Sequence, residues 1–362
     1  MEIVDGSIRS YYLFDVADTI DLATLRTIEG EGLARADIPL RPHASTAYLQ
    51  FPVPPLVARL PDVDLGETRA TVRAKFFDYG VISLRLSFDA RGPWNRLFDL
   101  TEKVKRDEST VAYAQKTVMR LCDELGSALK KRHVPLVEDY FVVDVGRFDV
   151  PIDAEDLLHD NPERLAALLL GERSGLSKAE IDEALRVRFS YFNDDVTVVQ
   201  WDTAFIYDRR ESSDAIQDIL EFANSQLLEL RTYDALLDRE LDEIYKHLPE
   251  RPTRSTLGRR EAEQAENLRH LIVDALELID RSSNALKVVG DAYYARIYRA
   301  AARRLSLTDW QRQIDSKLAS LNDMYRFAID QSRSRRDEFL ELIVIILIAL
   351  ELVVGVATLV RH

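Results

Sequence analysis

The stretch ATVRAKFFDYGVISLRLSF, residues 70–88, decides how the first half of the chain is read. Two runs rich in β-branched and aromatic residues flank Asp78, Tyr79 and Gly80. Gly80 can take the positive φ of a tight turn, so the stretch reads as a β-hairpin. Working outward, comparable runs occur at SYYLFDV (10–16), TAYLQF (46–51), YFVVDV (140–145), RVRFSYF (186–192) and VTVVQW (196–201). A second hairpin turn is expected at Asn193, Asp194 and Asp195. Helical patterns interrupt the strands at DLATLRTI (21–28), 109–133, 154–170 and 177–186, whereas the Pro-rich FPVPPLVARLP (51–61) reads as a loop or edge crossing. Strands broken by helices in this order predict an α+β domain over 1–208, with helices covering one face of a mixed or largely antiparallel sheet.

From residue 209 the pattern changes to long helices. Ile216, Leu220, Ala223, Leu227, Leu230, Leu237, Leu241, Ile244 and Leu248 recur in a 4-3 alternation broken by Asp234. That is one seam on a helix of roughly ten turns. Pro249, Pro252 and Gly258 mark a linker near 249–258, after which Ala265, Leu268, Ile272, Ala275, Ile279, Leu286 and Val289 repeat the device. In LSLTDW (305–310) a capping signal precedes a third helix carrying Ile314, Leu318, Leu321, Tyr325 and Ala328. Residues 209–338 are therefore expected to form a coiled-coil-like stalk or bundle, and a homo-oligomer through it.

The last segment, 339–362, carries an apolar run whose anchor residues include Leu342, Ile343, Ile346, Leu350, Val353 and Val360. Residues 342–360 would span roughly 28 Å as a helix, and their Leu, Ile and Val side chains favour insertion by roughly 4 to 8 kcal/mol. Glu351 at the centre costs about 2.5 to 3.5 kcal/mol, so the run is expected to be a single C-terminal transmembrane helix. Glu351, Gly355 and Thr358 share one stripe and are expected to make an intramembrane helix contact, while Arg333, Arg335 and Arg336 would meet lipid head groups. Positive charge before the run and the lack of a signal sequence keep the N-terminal part cytoplasmic and the short tail across the membrane, as in a tail-anchored protein.

Composition narrows the chemistry. The net charge of −14 argues against nucleic-acid binding by the molecule as a whole, so any such contact needs a local basic patch. ARIYRAAARR (295–304) supplies one, with Arg296, Arg299 and Arg303 on one helical face and Tyr293 and Tyr294 close by to hold phosphates and stack a base. The single cysteine, Cys122, excludes an internal disulfide and reads as a core residue, and the six histidines are scattered. No phosphate loop, nucleophile elbow or HExxH pair is present, and the Asn193 to Asp195 acids are read as turn chemistry. No catalytic residue, metal site, cofactor or small-molecule substrate is therefore assigned.

GDAYYARIYRAAARR (290–304), the run from Asp315 to Val353, and RAKFFDYGVISLRL (73–86) together resemble the "required for meiotic nuclear division" family over roughly Arg69 to Val354. For its mitochondrial members the resemblance implies an inner-membrane protein that supports translation near the ribosome, with no enzymatic residues to carry over; this chain departs from them in having no transit peptide and an extended N-terminus, which implies a bacterial relative at the inner membrane. The combined expectation is a non-enzymatic, membrane-tethered scaffold linking a macromolecular partner such as the translation machinery to the lipid bilayer. Two alternatives stand beside it: a ligand-sensing module signalling through the helical stalk, and a channel-like oligomer with Glu351 in the pore.

Overall fold

The computed structural model describes residues 1–25, 27–28, 31–32, 34–35, 51, 53–66, 68–173, 175–209, 213–247, 273 and 291–323. By its internal contacts the chain divides into two compact units, Met1–Tyr233 with Leu276–Gln311, and Asp234–Ala275 with Arg312–His362.

The first unit is built on two very long strands, β1 (Glu2–Ile20) and β9 (Leu129–Phe148), which pair antiparallel from Ile3 with Phe148 to Ile20 with Leu129. On the other edge of β1 lies the hairpin of residues 70–88, now resolved as β6 (Thr68–Phe76) and β7 (Val81–Asp89). Beyond β6 come β5 (Leu56–Leu65) and the short β4 (Ala34–Arg35), while β8 (Gly92–Pro93) pairs the start of β1. Beyond β9 come β12 (Thr203–Asp208), β11 (Asp195–Val199) and β10 (Arg188–Phe189), to give a ten-stranded sheet in the order β10-β11-β12-β9-β1-β7-β6-β5-β4. A separate pair is formed by β2 (Thr27–Ile28) and β3 (Glu31–Gly32). Pairing is antiparallel except between β12 and β9, so the sheet is mixed.

Gly80 has φ +95° at the hairpin turn, and a Cβ there would lie 1.6 Å from the Ala17 carbonyl oxygen. Only glycine fits, because the obstacle is backbone. The second expected turn is present at Asn193 and Asp194, between β10 and β11. In β5 the register slips between Leu60 and Val63, next to Pro61, so the Pro-rich stretch runs into a bulged strand rather than a loop. The helix expected at 21–28 is absent: Asp21 accepts the Ala23 amide on its side chain and the Thr24 hydroxyl on its carbonyl, and this local turn wins over helical propensity.

One face of the sheet is apolar. Ile8, Tyr12 and Phe14 align with Phe88, Leu84 and Ile82, then with Ala70, Ala74 and Phe76, and all join one buried core. Five helices supply its other wall: α1 (Trp94–Arg106), α2 (Glu108–Leu125), α3 (Ala154–Asp160), α4 (Pro162–Leu170) and α5 (Lys178–Ala184). Helix α1 buries Trp94, Leu97, Leu100 and Val104. The 109–133 pattern holds as helix only to Leu125, where Gly126 at φ +49° ends it and β9 begins.

The opposite face is also covered, contrary to the expectation of helices on one face. The part of helix α6 (Ser213–His247) that belongs to this unit, up to Tyr233, lies over it, and every residue from Ile219 to Leu230 is buried. The 4-3 seam residues Ile216, Leu220, Ala223, Leu227, Leu230 and Leu237 are buried as expected, but Gln217, Glu221, Asn224, Gln226 and Glu229 are buried with them. A narrow coiled-coil seam would leave those polar positions in water. Helix α7 (Ala292–Arg304) packs through Tyr293, Ile297 and Tyr298, and after a break at Leu305 and Ser306 residues 307–323 are helical, with Ile314, Leu318 and Leu321 buried. In the second unit Lys317 pairs with Asp234 and Asp238, both at 2.6 Å, which explains why Asp234 interrupts the apolar seam.

The fold is thus a mixed α+β structure with a large sheet, and the transmembrane part of the expected fold class is corrected. Among the described residues no helix is long and apolar enough to cross a membrane. The longest of these, α6, carries Glu221 and Glu229 along a stretch that is buried by protein, which lipid could not satisfy. Residues 339–362, with Leu342, Ile343, Ile346, Leu350, Val353 and Val360, the Glu351, Gly355 and Thr358 stripe, and the preceding Arg333, Arg335 and Arg336, lie outside the described residues. The membrane, transmembrane and tail-anchored assignments are withdrawn, and the pore reading of Glu351 goes with them. The second helical pattern, 265–289, lies almost wholly outside the described residues too.

Candidate functional site

Strand periodicity puts Arg9, Tyr11, Leu13 and Asp15 of β1 on the α6 side, aligned with Ser87, Arg85, Ser83 and Val81 of β7 and then with Thr71, Arg73 and Lys75 of β6. From β9, Asp144 joins the same face. Helix α6 answers with Asp214, the adjacent Gln217 and Asp218, Glu221 and Ser225, whose steps of three or four residues from Asp214 onward put them on one side. Arg9 reaches Asp214 and Gln217, each at 2.6 Å, and Asp144 at 3.2 Å. Gln217 also accepts from the Tyr11 hydroxyl at 3.0 Å and donates to Asp144 at 3.1 Å, and Ser213 donates to Asp144 at 3.0 Å. Lys75 bonds Asp218 at 2.6 Å and also Glu221, whose side chain is only 3% exposed. At the hairpin tip the Tyr79 and Ser225 hydroxyls meet at 2.8 Å.

The cations and the phenol of this layer keep their ordinary protonation at neutral pH, whereas burial raises the Asp144 carboxyl above its ordinary value, against the pull of Arg9, Ser213 and Gln217. Burial alone would push the Lys75 ammonium down, but Asp218 and Glu221 hold it above the ordinary lysine value. Burial raises the Tyr11 phenol, against the pull of Arg85 and Arg9, and so keeps it neutral. Arg85 is likewise raised, because Tyr11, Glu221 and Asp218 outweigh its burial. Lys75, Arg85 and Tyr11 therefore form a seat for a helix and are not groups poised to exchange protons near neutrality.

At the far end of β1 the pairing with β9 slips between Asp15 and Ala17, and in that irregularity His133 places Nε2 3.3 Å from Asp15 Oδ1. Burial would lower the imidazole, but Asp15 raises it, helped by the Val134 carbonyl and Asp18. Asp15 is itself raised, chiefly by burial. Burial pushes the Cys122 thiol up as well, which fits a core residue and not a nucleophile. Among the described residues no group of three or more His, Cys, Asp or Glu is placed to hold a metal ion.

The arginine patch expected on 295–304 lies on α7, where Arg296, Arg299 and Arg303 are all exposed. Tyr293 and Tyr294, expected to stack a base, are instead buried at 5% exposure each. Tyr293 packs under the Arg296 guanidinium at 5.5 Å and against Tyr191 at 5.2 Å between ring centroids, and it is Tyr191, 56% exposed, that faces solvent. Tyr191 is held there by Asp195, whose carboxylate accepts the Tyr191 and Phe192 amides and the Tyr293 hydroxyl. The Asn193 to Asp195 acids thus act in a turn, as their sequence suggests, with the added task of presenting an aromatic ring. No local motif marks Tyr191, because its neighbour in space is 102 residues away in the chain. The expected lipid-contact residues Arg333, Arg335 and Arg336 lie outside the described residues.

Comparison with known proteins bears on the sheet domain. Residues 5–214, more than half of the 362, match the family described as "Uncharacterized protein MJ0711, N-terminal domain". The chain belongs to this family. The matched span holds every strand of the large sheet after its first residues, together with α1 to α5, and stops at the first residues of α6. Among individual proteins the chain is similar to "Uncharacterized protein MJ0711" of Methanocaldococcus jannaschii, 24% identical over 242 residues, which is 66% of this chain and 73% of the relative. That relative is archaeal, and neither match carries the meiotic-division name or points to a bacterial source. No solved structure matches.

Proposed function

We propose that this member of the MJ0711 N-terminal domain family is a non-enzymatic scaffold: an α+β platform that grips the base of a long helix and so holds helical segments in position for a macromolecular partner. One observation carries the reading. The buried charges of the sheet face are paired with residues of α6, from Arg9 with Asp214 and Gln217 to Lys75 with Asp218 and Glu221, and these two carboxylates hold the Lys75 ammonium in its charged form against burial. Groups so committed serve helix attachment, and a partner-binding or self-associating role for the helical part follows from it. The resemblance of the C-terminal half to the "required for meiotic nuclear division" family puts the translation machinery first among the partners to test. Crosslinking of the full chain in its native cells, with mass spectrometry of the crosslinked residues, tests this. Reproducible crosslinks from α6 or residues 307–323 to one assembly, or to a second copy of the chain, are expected. Crosslinks scattered over unrelated proteins would overturn the reading.

A sensing role has one observation in its favour: the Asp15 and His133 pair sits in a strand irregularity beneath α6, whose Thr232 lies beside the Asp15 carboxylate. A change of protonation there would act on the helix directly.

A further inference from the structure

We propose that the exposed face of α7 binds single-stranded nucleic acid, with Arg296, Arg299 and Arg303 pairing to phosphates and the ring of Tyr191 stacking a base. This names the chemistry of a partner for the scaffold proposed above and rests on that reading only in its biological setting.

Four observations on one surface lead to it. The three arginines occupy positions i, i+3 and i+7, so they form a single row about 10.5 Å long on α7. All three are exposed, and among the described residues no carboxylate lies within ion-pair distance of any of them. Elsewhere Arg9, Arg173, Arg186 and Arg304 each have an acidic partner, whereas here three basic groups stand together on one face with none among the described residues, in a chain with 62 acidic residues against 48 basic ones. Next to the row stands Tyr191, an aromatic ring more than half exposed that shares Tyr293 as a neighbour with Arg296. Its backbone is braced by the Asp195 carboxylate, so its position is set before any ligand arrives.

Charge complementarity selects a polyanion, and the ring selects among polyanions. A lipid surface or an acidic peptide would pair with the arginines but has no flat face to lie on Tyr191. A single strand offers both phosphates and unstacked bases, and stacking on an exposed aromatic is sequence-tolerant. Duplexes keep their bases stacked and would use the arginines alone. Mixed contact of this kind also fits the strongly negative whole: long-range repulsion would keep affinity modest and sensitive to salt, with the local patch overcoming it at short range.

The test is fluorescence anisotropy of the full chain with a labelled 12-nucleotide oligouridylate, its DNA counterpart, a duplex of equal length, and vesicles containing phosphatidylserine. Wild type is expected to bind the single strands at 50 mM salt and to lose affinity with a log–log salt slope of about −2, as three phosphate contacts imply. The triple variant Arg296→Gln/Arg299→Gln/Arg303→Gln should lose that slope, and Tyr191→Ala should weaken binding by roughly tenfold with the slope unchanged. Both variants alter exposed side chains, so an unaltered melting temperature shows that they fold. Failure to bind any single strand, equal binding of the duplex, binding of vesicles in place of the oligonucleotides, or variants that bind like wild type would each overturn the proposal. Binding that behaves as expected in a chain whose helices yield no specific crosslinks would overturn the scaffold reading and leave this one standing.

Discussion

Lys75→Met keeps the length and apolar stem of the side chain while removing the ammonium that Asp218 and Glu221 share beneath α6. At 2.6 Å and an effective dielectric near 20, the Lys75 to Asp218 attraction alone is about 6 kcal/mol before desolvation is counted. Most of that offsets the burial of the charges, but removing one partner leaves the other charges buried and unpaired, which destabilises by about 3–5 kcal/mol. Arg85 lies near enough to Glu221 and Asp218 to compensate in part, so the lower end of that range is expected. For a unit of this size it corresponds to a fall in melting temperature of roughly 6–12 °C. Urea unfolding followed by near-ultraviolet dichroism measures the free energy, and hydrogen exchange of the α6 amides locates it. A second variant isolates the cause: Lys75→Met with Asp218→Leu and Glu221→Met should recover part of the loss, since it removes the carboxylates that the single variant leaves unpaired, while Arg85 loses them as neighbours and keeps only Tyr11. A single variant within about 1 kcal/mol of wild type, or a triple variant no better than the single, would refute the assignment of this layer as the seat of the helix.

Three further outcomes follow from the same structure. Gly80→Ala is expected to lower stability by more than about 3 kcal/mol, beyond backbone strain alone, because its Cβ would meet the fixed carbonyl of Ala17, and an unchanged urea midpoint would contradict that geometry. Asp107→Ala removes the carboxylate that caps the Ser109 amide at the start of α2 and should cost about 1 kcal/mol in the same assay. His133 is raised by Asp15, so the stability it contributes is fully present below its unfolded value and is lost as pH rises through its folded one; the raised Asp15 acts with the same sign. Wild type should therefore lose stability from slightly acidic to slightly alkaline pH in a way that His133→Gln does not, and parallel pH profiles for the two proteins would remove the pair as the cause.

Much of the sheet is legible in the residues. The hairpin at 70–88 is visible because Gly80 supplies conformational freedom between two β-rich runs, and β1, β9 and β11 show the same local signal. Strand β12 and helix α1 were not anticipated, and the 21–28 pattern misled, because an Asx turn at Asp21 competes locally with the helix. The candidate sites were half legible. The arginine row on α7 follows from helical spacing alone, whereas its aromatic companion was misassigned to Tyr293 and Tyr294, since spacing says which residues share a face but not which face the fold buries.

By itself the amino-acid order determined the α+β class, the turns, the helical change of character after residue 209 and the alignment of three arginines on one helical face, because propensity and periodicity are local properties. Only the tertiary structure decided that the polar edges of β1, β6 and β7 are no solvent face. Arg9, Lys75 and Arg85 alternate with apolar residues as exposed side chains would, and Asp214, Asp218 and Glu221 recur on α6 as a wet stripe would. Each pattern alone is indistinguishable from a hydrated surface. Their complementarity exists only once the chain brings residue 75 against residue 221, and no local signal spans that distance.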